Sequence, residues 1–492
     1  MKNVPEIKIG VVAVSRDCFP IDLSKRRHQQ VIAACNKRTL PVVPVEKIVE
    51  SDADVPKVIE QVTGKDVNAL VVYLGNFGPE GPETLLARKF DGPVMFAGAA
   101  EESRENLFGD RGDAYCGMLN ASYNIGLRGL NPYIPDYPIG LPDEIAEMVA
   151  DFLQVARVII GLKHLKIFSF GPRPYDFLAC NAPIKPLYDL GIEVMENSEL
   201  DLYDLVVNAK KDPMVPEISK QMQEQLGDGN SYPDLIEKLA QFEVALRRFM
   251  DDNLGASKYG IFANKCWPAF EKYFGHVPCY INSRLAADGI PVACEVDIYG
   301  ALSEYMAACA TLVTPTILDI NNTVPRDMYE HNLEKIKPYK HTDLFMGFHC
   351  GNTNAACLLD PKMNYQLIMH RTMEPESEPD ITRGTLEGQI KNGPVTIFRF
   401  QSTADTQLRS YVAQGEVLDI DPRSFGSTGV FAIEEMARFY RHVLIQKRYP
   451  HHTAAVLAHA GKPLFAAARM LGVKDVDFTL PKGHYYPGEN PF

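Results

Sequence analysis

The 492-residue chain carries a formal net charge of −13, with 46% hydrophobic residues, 23% charged residues, 35 Gly and 35 Pro. At roughly 100 to 200 residues per domain this length needs more than one core, and the composition excludes a disordered or collagen-like chain. An acidic balance without a basic stripe argues against nucleic acid as a partner, since phosphate binding relies on clustered Lys and Arg.

From the N-terminus, KIGVVAV, PVVPVE, ALVVYLG and PVMFAG read as apolar strands, separated by the amphipathic stretches SKRRHQQVIAACNK, DVPKVIEQV and ETLLARKF. This βαβ alternation predicts a doubly wound parallel sheet in a domain over 1–155. A second α/β domain is predicted over 156–313, entered through the helical stretch DEIAEMVADFLQVARVIIGL. It takes in the strand KIFSFG, a helix over YDFLACNAPIKPLYDLG, two polar helices near 214–252, the strand YGIFAN and the run IPVAC. At the Thr314-Pro315 step the texture turns to short β-type runs: PTILDI, LFMGFHC, ACLLD, YQLIMHR, GPVTIFRF and EVLDI. Residues 314–492 therefore predict a β-rich domain, closed by helices over VFAIEEMARFYRHVLIQKRY and KPLFAAARMLG.

No stretch of about 18 uninterrupted apolar residues occurs, and MKNVPEIKIGVVAV shows no long apolar run before a small-residue cleavage site. No membrane partner is expected, and a cytoplasmic location is. The ten cysteines form no C-x-x-C pair, which excludes a zinc knuckle or thioredoxin-like motif and leaves thiols that pack as small hydrophobes. GNFGPEG lacks the G-x-G-x-x-G spacing, and AHAGKPL lacks both the earlier glycine and the Ser or Thr of a P-loop.

Four stretches carry chemistry. In ACEVDIYGALSEYM and the residues after it, Ile298, Ala301, Leu302, Tyr305, Met306 and Cys309 follow i, i+3, i+4 and define a buried helix face, with Asp297 as its N-cap. Glu295 then stands between strand and helix, where open α/β sheets place ligands, although a solvated carboxylate or helix-dipole partner satisfies the same pattern. Asp319 ends the strand PTILDI before an Asn-Asn turn, also a common local arrangement. His451 and His452 follow a proline in RYPHHTAAVLAHAGKP, with His459 further on, and FHCGNTN offers His349 and Asn352 at another strand end. Each alone suits a surface or satisfied core position. Together, two carboxylates and an imidazole at strand ends suit a hard divalent ion such as Mn2+ and leave positions open for substrate oxygens.

The run KCWPAFEKYFGHVPCYINSRLAADGIPVACEVDIYGALSEYM, followed by LDINN and by YPHHTAAVLAHAGKPLFAAARML, resembles the L-fucose isomerase family of the fucose/arabinose ketol-isomerase superfamily. The resemblance extends over nearly the whole chain, most specifically over 265–319 and 449–471. It implies an α/β architecture of two Rossmann-like doubly wound domains followed by a β-rich C-terminal domain. It also implies a metal-dependent aldose–ketose isomerase acting on L-fucose, L-arabinose, D-arabinose or a related sugar through a cis-enediol.

Carried over to this chain, the family motif implies Glu295, Asp319 and His452 as Mn2+ ligands, with Glu295 and Asp319 also managing proton transfer. Family members are hexamers whose sites are completed by a neighbour's N-terminal domain, which makes Arg16 in VVAVSRDCFP a counterpart substrate-binding residue; His349, Asn352 and His451 are further substrate-binding candidates. His451 stands where the family carries Asn, FHCGNTN departs from the family pattern, and the first domain is shorter. These departures fall around the sugar rather than the metal and leave open a divergent metal-dependent enzyme on a related carbonyl compound. A sugar-binding protein of the same fold without isomerase activity is the reading from another class. A nicotinamide oxidoreductase lacks its glycine fingerprint.

Overall fold

The computed structural model describes residues 1–492. The chain forms two compact units, one of Pro5–Ile160 and one of Met1–Val4 with Gly161–Phe492. In the first, β1 (Ile9–Val14), β2 (Val42–Pro44), β3 (Ala69–Leu74), β4 (Val94–Ala99) and β5 (Ile139–Gly140) form a parallel sheet in the order β2-β1-β3-β4-β5. Every residue of β1 and β3 is buried, as expected of parallel strands covered on both faces. The strand order reverses between β1 and β3, the switch point of a doubly wound sheet.

The second unit holds two sheets. β6 (Leu165–Gly171), β7 (Glu193–Ser198), β8 (Tyr259–Ala263) and β9 (Val292–Ala293) are parallel, in the order β7-β6-β8-β9. Phe168, Phe170, Phe249 and Phe262 cluster against this sheet with ring centroids 5.3 to 6.3 Å apart. The remaining strands are β10 (Thr316–Asn322), β11 (Leu344–His349), β12 (Leu358–Tyr365), β13 (Arg383–Ile390), β14 (Gly393–Ser402), β15 (Leu408–Leu418), β16 (Ser427–Ala432), β17 (His452–Val456) and β18 (Val476–Phe478). They form one mixed sheet in the order β12-β13-β16-β11-β10-β17-β14-β15-β18, in which β15 also pairs with β16. That extra pairing joins β16, β11, β10, β17, β14 and β15 into a closed ring, which leaves those strands no free edge.

Helix Ile298–Thr311 is buried at every position but its last and packs against β8 on one side and β10, β14 and β17 on the other. A helix covered all round must be apolar all round, and IYGALSEYMAACAT nearly is. Asp297 caps it by accepting the Gly300 N–H at 2.9 Å. Gly300 is small for a reason: a Cβ there would lie 2.6 Å from Asp297 Oδ2 and from Ile317 Cδ1. No helix is long and apolar enough to cross a membrane.

Parallel α/β sheets followed by a large mixed sheet match the expected class, while three local expectations differ. Residues 175–191 form a single turn at Leu178–Cys180 and a short helix at Lys185–Asp189, because Pro183 and Pro186 lack donors and bias their predecessors away from helix. YQLIMHR is helical over Leu367–Met373, since the Gln366 side chain accepts the N–H groups of Ile368 and Met369. In VFAIEEMARFY the first three residues end β16, where Val430 and Phe431 gain full burial, and helical turns begin only at Met436.

Candidate active site

Just past β9 the backbone is strained. Glu295 (φ 59°) and Val296 (φ 55°) both occupy the left-handed region, which costs a β-branched valine of order 1–3 kcal/mol. Val296 N donates to Asn264 O at 2.8 Å and Asp297 N to Cys294 O at 3.1 Å, so the turn is pinned at both ends. The Glu295 carboxylate accepts the Trp267 indole N–H, with Nε1 at 3.2 Å from Oε1 and 3.1 Å from Oε2. Burial pushes this carboxyl above its ordinary range, and the indole, His452 and His349 offset that push only in part.

Asp319 does not end its strand as expected: β10 runs on through Asn321 and Asn322 because Ile320 and Asn322 pair with β11, and antiparallel register sets Asp319 opposite His452 on β17 and Phe348 on β11. Cross-strand partners project to one face. Asp319 Oδ1 is accordingly 3.5 Å from His452 Nε2 and 3.7 Å from His451 Nε2. Neither contact is a hydrogen bond, and Oδ1 remains buried without a partner. Such an orphan costs about 1–3 kcal/mol unless something satisfies it.

His452 is fixed from its other edge. Its Nδ1 lies 2.9 Å from Asp297 Oδ2 and 3.4 Å from Cys180 Sγ. Arg399 Nη1 and Nη2 donate to the same carboxylate at 2.6 and 2.9 Å. Burial opposes the Asp297 charge, but Arg399 and His452 outweigh it and hold the carboxyl well below its usual range. An ionised Asp297 accepts Nδ1–H, which turns the Nε2 edge of the ring toward Asp319.

Phe177 sets its ring against His451 and His452 at centroid distances of 5.4 and 6.0 Å. Burial and the neighbouring His452 push His451 down, favouring its neutral form. His349 ends β11, buried, with its ring 6.3 Å from that of His452 and its Nδ1 3.8 Å from Cys350 Sγ. Asn352 Nδ2 donates to Val292 O at 3.2 Å and so ties its turn to β9. Arg16 belongs to the N-terminal unit, just past β1, where its guanidinium lies 4.8 Å from the Phe77 ring centroid and 3.4 Å from Glu80 Oε1.

Asp319, His451 and His452 therefore converge, each offering an atom within 4.8 Å of the others. Glu295 stands outside that close group but within electrostatic reach of His452. The close group offers one carboxylate, with one oxygen orphaned, and two imidazoles, a donor set that fits a divalent cation, and Glu295 adds a second carboxylate nearby. Cys180, Asp297 and His452 form a second close group, but Asp297 is already engaged by Arg399, His452 and Gly300 N–H, so this group positions His452. Sequence reasoning saw Asp297 only as a cap and missed Arg399, Trp267 and Phe177. An arginine inside the apolar run GPVTIFRF was the available signal for a buried ion pair.

Two segments of the chain match known families. Residues 10–163 match the family described as Fucose/sulfoquinovose isomerase, N-terminal domain, and residues 347–478 that described as L-fucose isomerase, C-terminal domain.

The chain belongs to the L-fucose isomerase family. Like other L-fucose isomerase family members it is an aldose–ketose isomerase, an intramolecular oxidoreductase acting on a sugar. Similar proteins include sulfoquinovose isomerases from Priestia aryabhattai and Priestia megaterium (strain ATCC 12872 / QMB1551), each 23% identical over 467 residues, covering 94% of this chain and 97% of theirs. Another, from Alkalicoccus urumqiensis, is 26% identical over 367 residues, covering 73% of this chain and 75% of its own. Within this L-fucose isomerase family chain, Arg16, His349, Arg399 and His452 fall inside the matched segments. Glu295 and Asp319 fall between them.

Proposed function

We propose that this isomerase is metal-dependent, with Glu295, Asp319 and His452 holding Mn2+ or a similar divalent ion, and that its substrate is sulfoquinovose or a close relative. The orphaned Asp319 Oδ1 facing His452 Nε2 carries the metal reading. The names of relatives that span 94% of the chain support the substrate over L-fucose, L-arabinose and D-arabinose.

Bound there, a divalent ion would polarise the sugar carbonyl and acidify the adjacent C–H. Glu295, made more basic by burial, takes the C2 proton of the open-chain aldose to give a cis-enediol and returns a proton to C1 to give the ketose. Asp319 moves the remaining proton between O1 and O2. His452 is held by its Nδ1–H on Asp297, and Phe177 packs against the paired imidazoles. His349, Asn352 and His451 border the sugar.

The test is turnover in D2O of chelator-treated and Mn2+-reloaded enzyme on sulfoquinovose, L-fucose, L-arabinose and D-arabinose. Reloading restores turnover, with solvent deuterium at C1 of the ketose and C2 of the re-formed aldose, and sulfoquinovose is preferred. Full activity after chelation overturns the metal reading, and preference for a neutral sugar overturns the substrate.

The proposal extends to a cytoplasmic homo-oligomer, a hexamer in which Arg16 serves a neighbouring copy's site. Ten free cysteines support the reducing compartment. Tyr115, Leu119, Tyr123 and Leu127 support the association: they form an apolar ridge along helix Ala114–Leu127, each 63 to 69% exposed. The small exposed residues Cys116, Ser122 and Gly126 beside it offer the groove that ridge-into-groove packing with a second copy requires. Leu119→Asp combined with Tyr123→Asp lowers the particle mass in light scattering; an unchanged mass rules out this face.

A further inference from the structure

Beside the loop that carries Cys180 lies a polar cavity of about 460 Å3, lined by Asn181, Gln401, Thr403, Arg409, Lys447 and Arg448 among others, with one carboxylate, Asp405, in its wall. Its three cations are unequally compensated. Lys447 is paired with Asp477. Arg409 donates from Nη1 to Lys447 O at 3.2 Å and has the Asp405 carboxylate nearby. Arg448 is exposed, with neither an ion pair nor a hydrogen bond on its guanidinium.

The backbone that presents Arg448 is unusual in two ways. Its φ of 61° lies in the left-handed region, where an arginine is strained and glycine is at ease. Tyr440–Ile445, one residue before the Gln446-Lys447-Arg448 stretch, is a π-helix, a distortion concentrated at functional sites. No burial of the Arg448 side chain compensates this strain.

We propose that this cavity is a second ligand site, separate from the reacting sugar, which takes a small tetrahedral oxyanion such as the phosphate or sulfonate group of a metabolite. Guanidinium forks match two oxygens of such a group, and the amides and hydroxyl of Asn181, Gln401 and Thr403 complete a polar lining. The cavity reaches the active site through named contacts. Arg399 Nε donates to Gln401 Oε1 at 3.2 Å, Arg399 holds Asp297, and Asp297 holds His452 Nδ1. Cys180, beside Asn181, lies 3.4 Å from the same nitrogen. Occupancy thus acts on His452 from the Nδ1 edge, whereas the sugar and Asp319 are on the Nε2 edge. Only this effect on turnover rests on the isomerase reading.

The experiment titrates inorganic sulfate, which leaves Mn2+ free, into the full-length protein by calorimetry against a chloride control of equal ionic strength. Wild type binds saturably, and Arg448→Gly binds at least about tenfold more weakly, from the loss of charge-assisted hydrogen bonds. Arg448→Gly eases the left-handed turn, so its sulfate-free melting temperature does not fall and unfolding cannot mimic the loss. Equal affinity in the two proteins, or no saturable binding to wild type, overturns the proposal. Methyl phosphate and methanesulfonate in place of sulfate identify which oxyanion is preferred. In steady-state kinetics sulfate alters kcat without competing with the sugar; purely competitive behaviour puts the anion in the substrate's place and overturns a separate site. The calorimetric result needs no turnover, so its failure is distinguishable from failure of the sugar assignment.

Discussion

Asp319→Asn loses isomerisation by at least about 10^3-fold, yet in the absence of metal the variant melts at or above the wild-type temperature. The first effect follows from removing a charged ligand oxygen and a proton carrier at once. The second follows from Oδ1 being buried without a hydrogen-bond partner, so the substitution breaks no hydrogen bond at that atom. Equilibrium dialysis with Mn2+, alongside calorimetric melts, separates the two: the variant binds the ion far more weakly while remaining folded. Activity within tenfold of wild type would remove Asp319 from the site. Glu295→Gln behaves alike in turnover, and its amide oxygen still accepts the Trp267 N–H, so folding survives there too.

Asp297→Ala has the opposite profile, a loss of both stability and metal affinity. Arg399 is 1% exposed and relies on the Asp297 carboxylate, so truncation leaves a buried uncompensated cation and costs about 3–5 kcal/mol. His452 also loses the acceptor that sets its tautomer, which weakens metal binding about 10- to 100-fold. The double variant Asp297→Ala with Arg399→Met separates these effects. It recovers most of the stability in chemical denaturation, since no charge is stranded, but not the Mn2+ affinity. If affinity returned with stability, Asp297 would be a folding residue alone, and the account of how His452 is held would fail.

Much of the local structure was legible in the residues. Continuous apolar runs such as IGVVAV and ALVVYL became buried parallel strands, and the 3.6-residue periodicity after Asp297 became helix Ile298–Thr311. Errors arose where prolines, a side-chain cap or sheet pairing overrode the apolar pattern. Pro183 and Pro186 broke an expected helix, a Gln366 cap turned an expected strand helical, and a place in the closed ring drew Val430 and Phe431 out of a helical pattern.

The candidate site was legible only in pieces. Glu295, Asp319 and His452 each had a bland local explanation, and resemblance to a family joined them where spacing did not. The cross-strand pairing of Asp319 with His452, the ion pair of Asp297 with Arg399 and the approach of Trp267 to Glu295 join residues remote in sequence.

By itself the order of amino acids determined the fold class, the cap of helix Ile298–Thr311 and the types of donor available. These depend on periodicity and on neighbours within a few positions. Only the tertiary structure decided which donors meet, which nitrogen of His452 is taken, and that one oxygen of Asp319 is left unsatisfied. Those facts depend on β-sheet register and on the packing of helix Ile298–Thr311, both set by contacts between distant parts of the chain that no local pattern encodes.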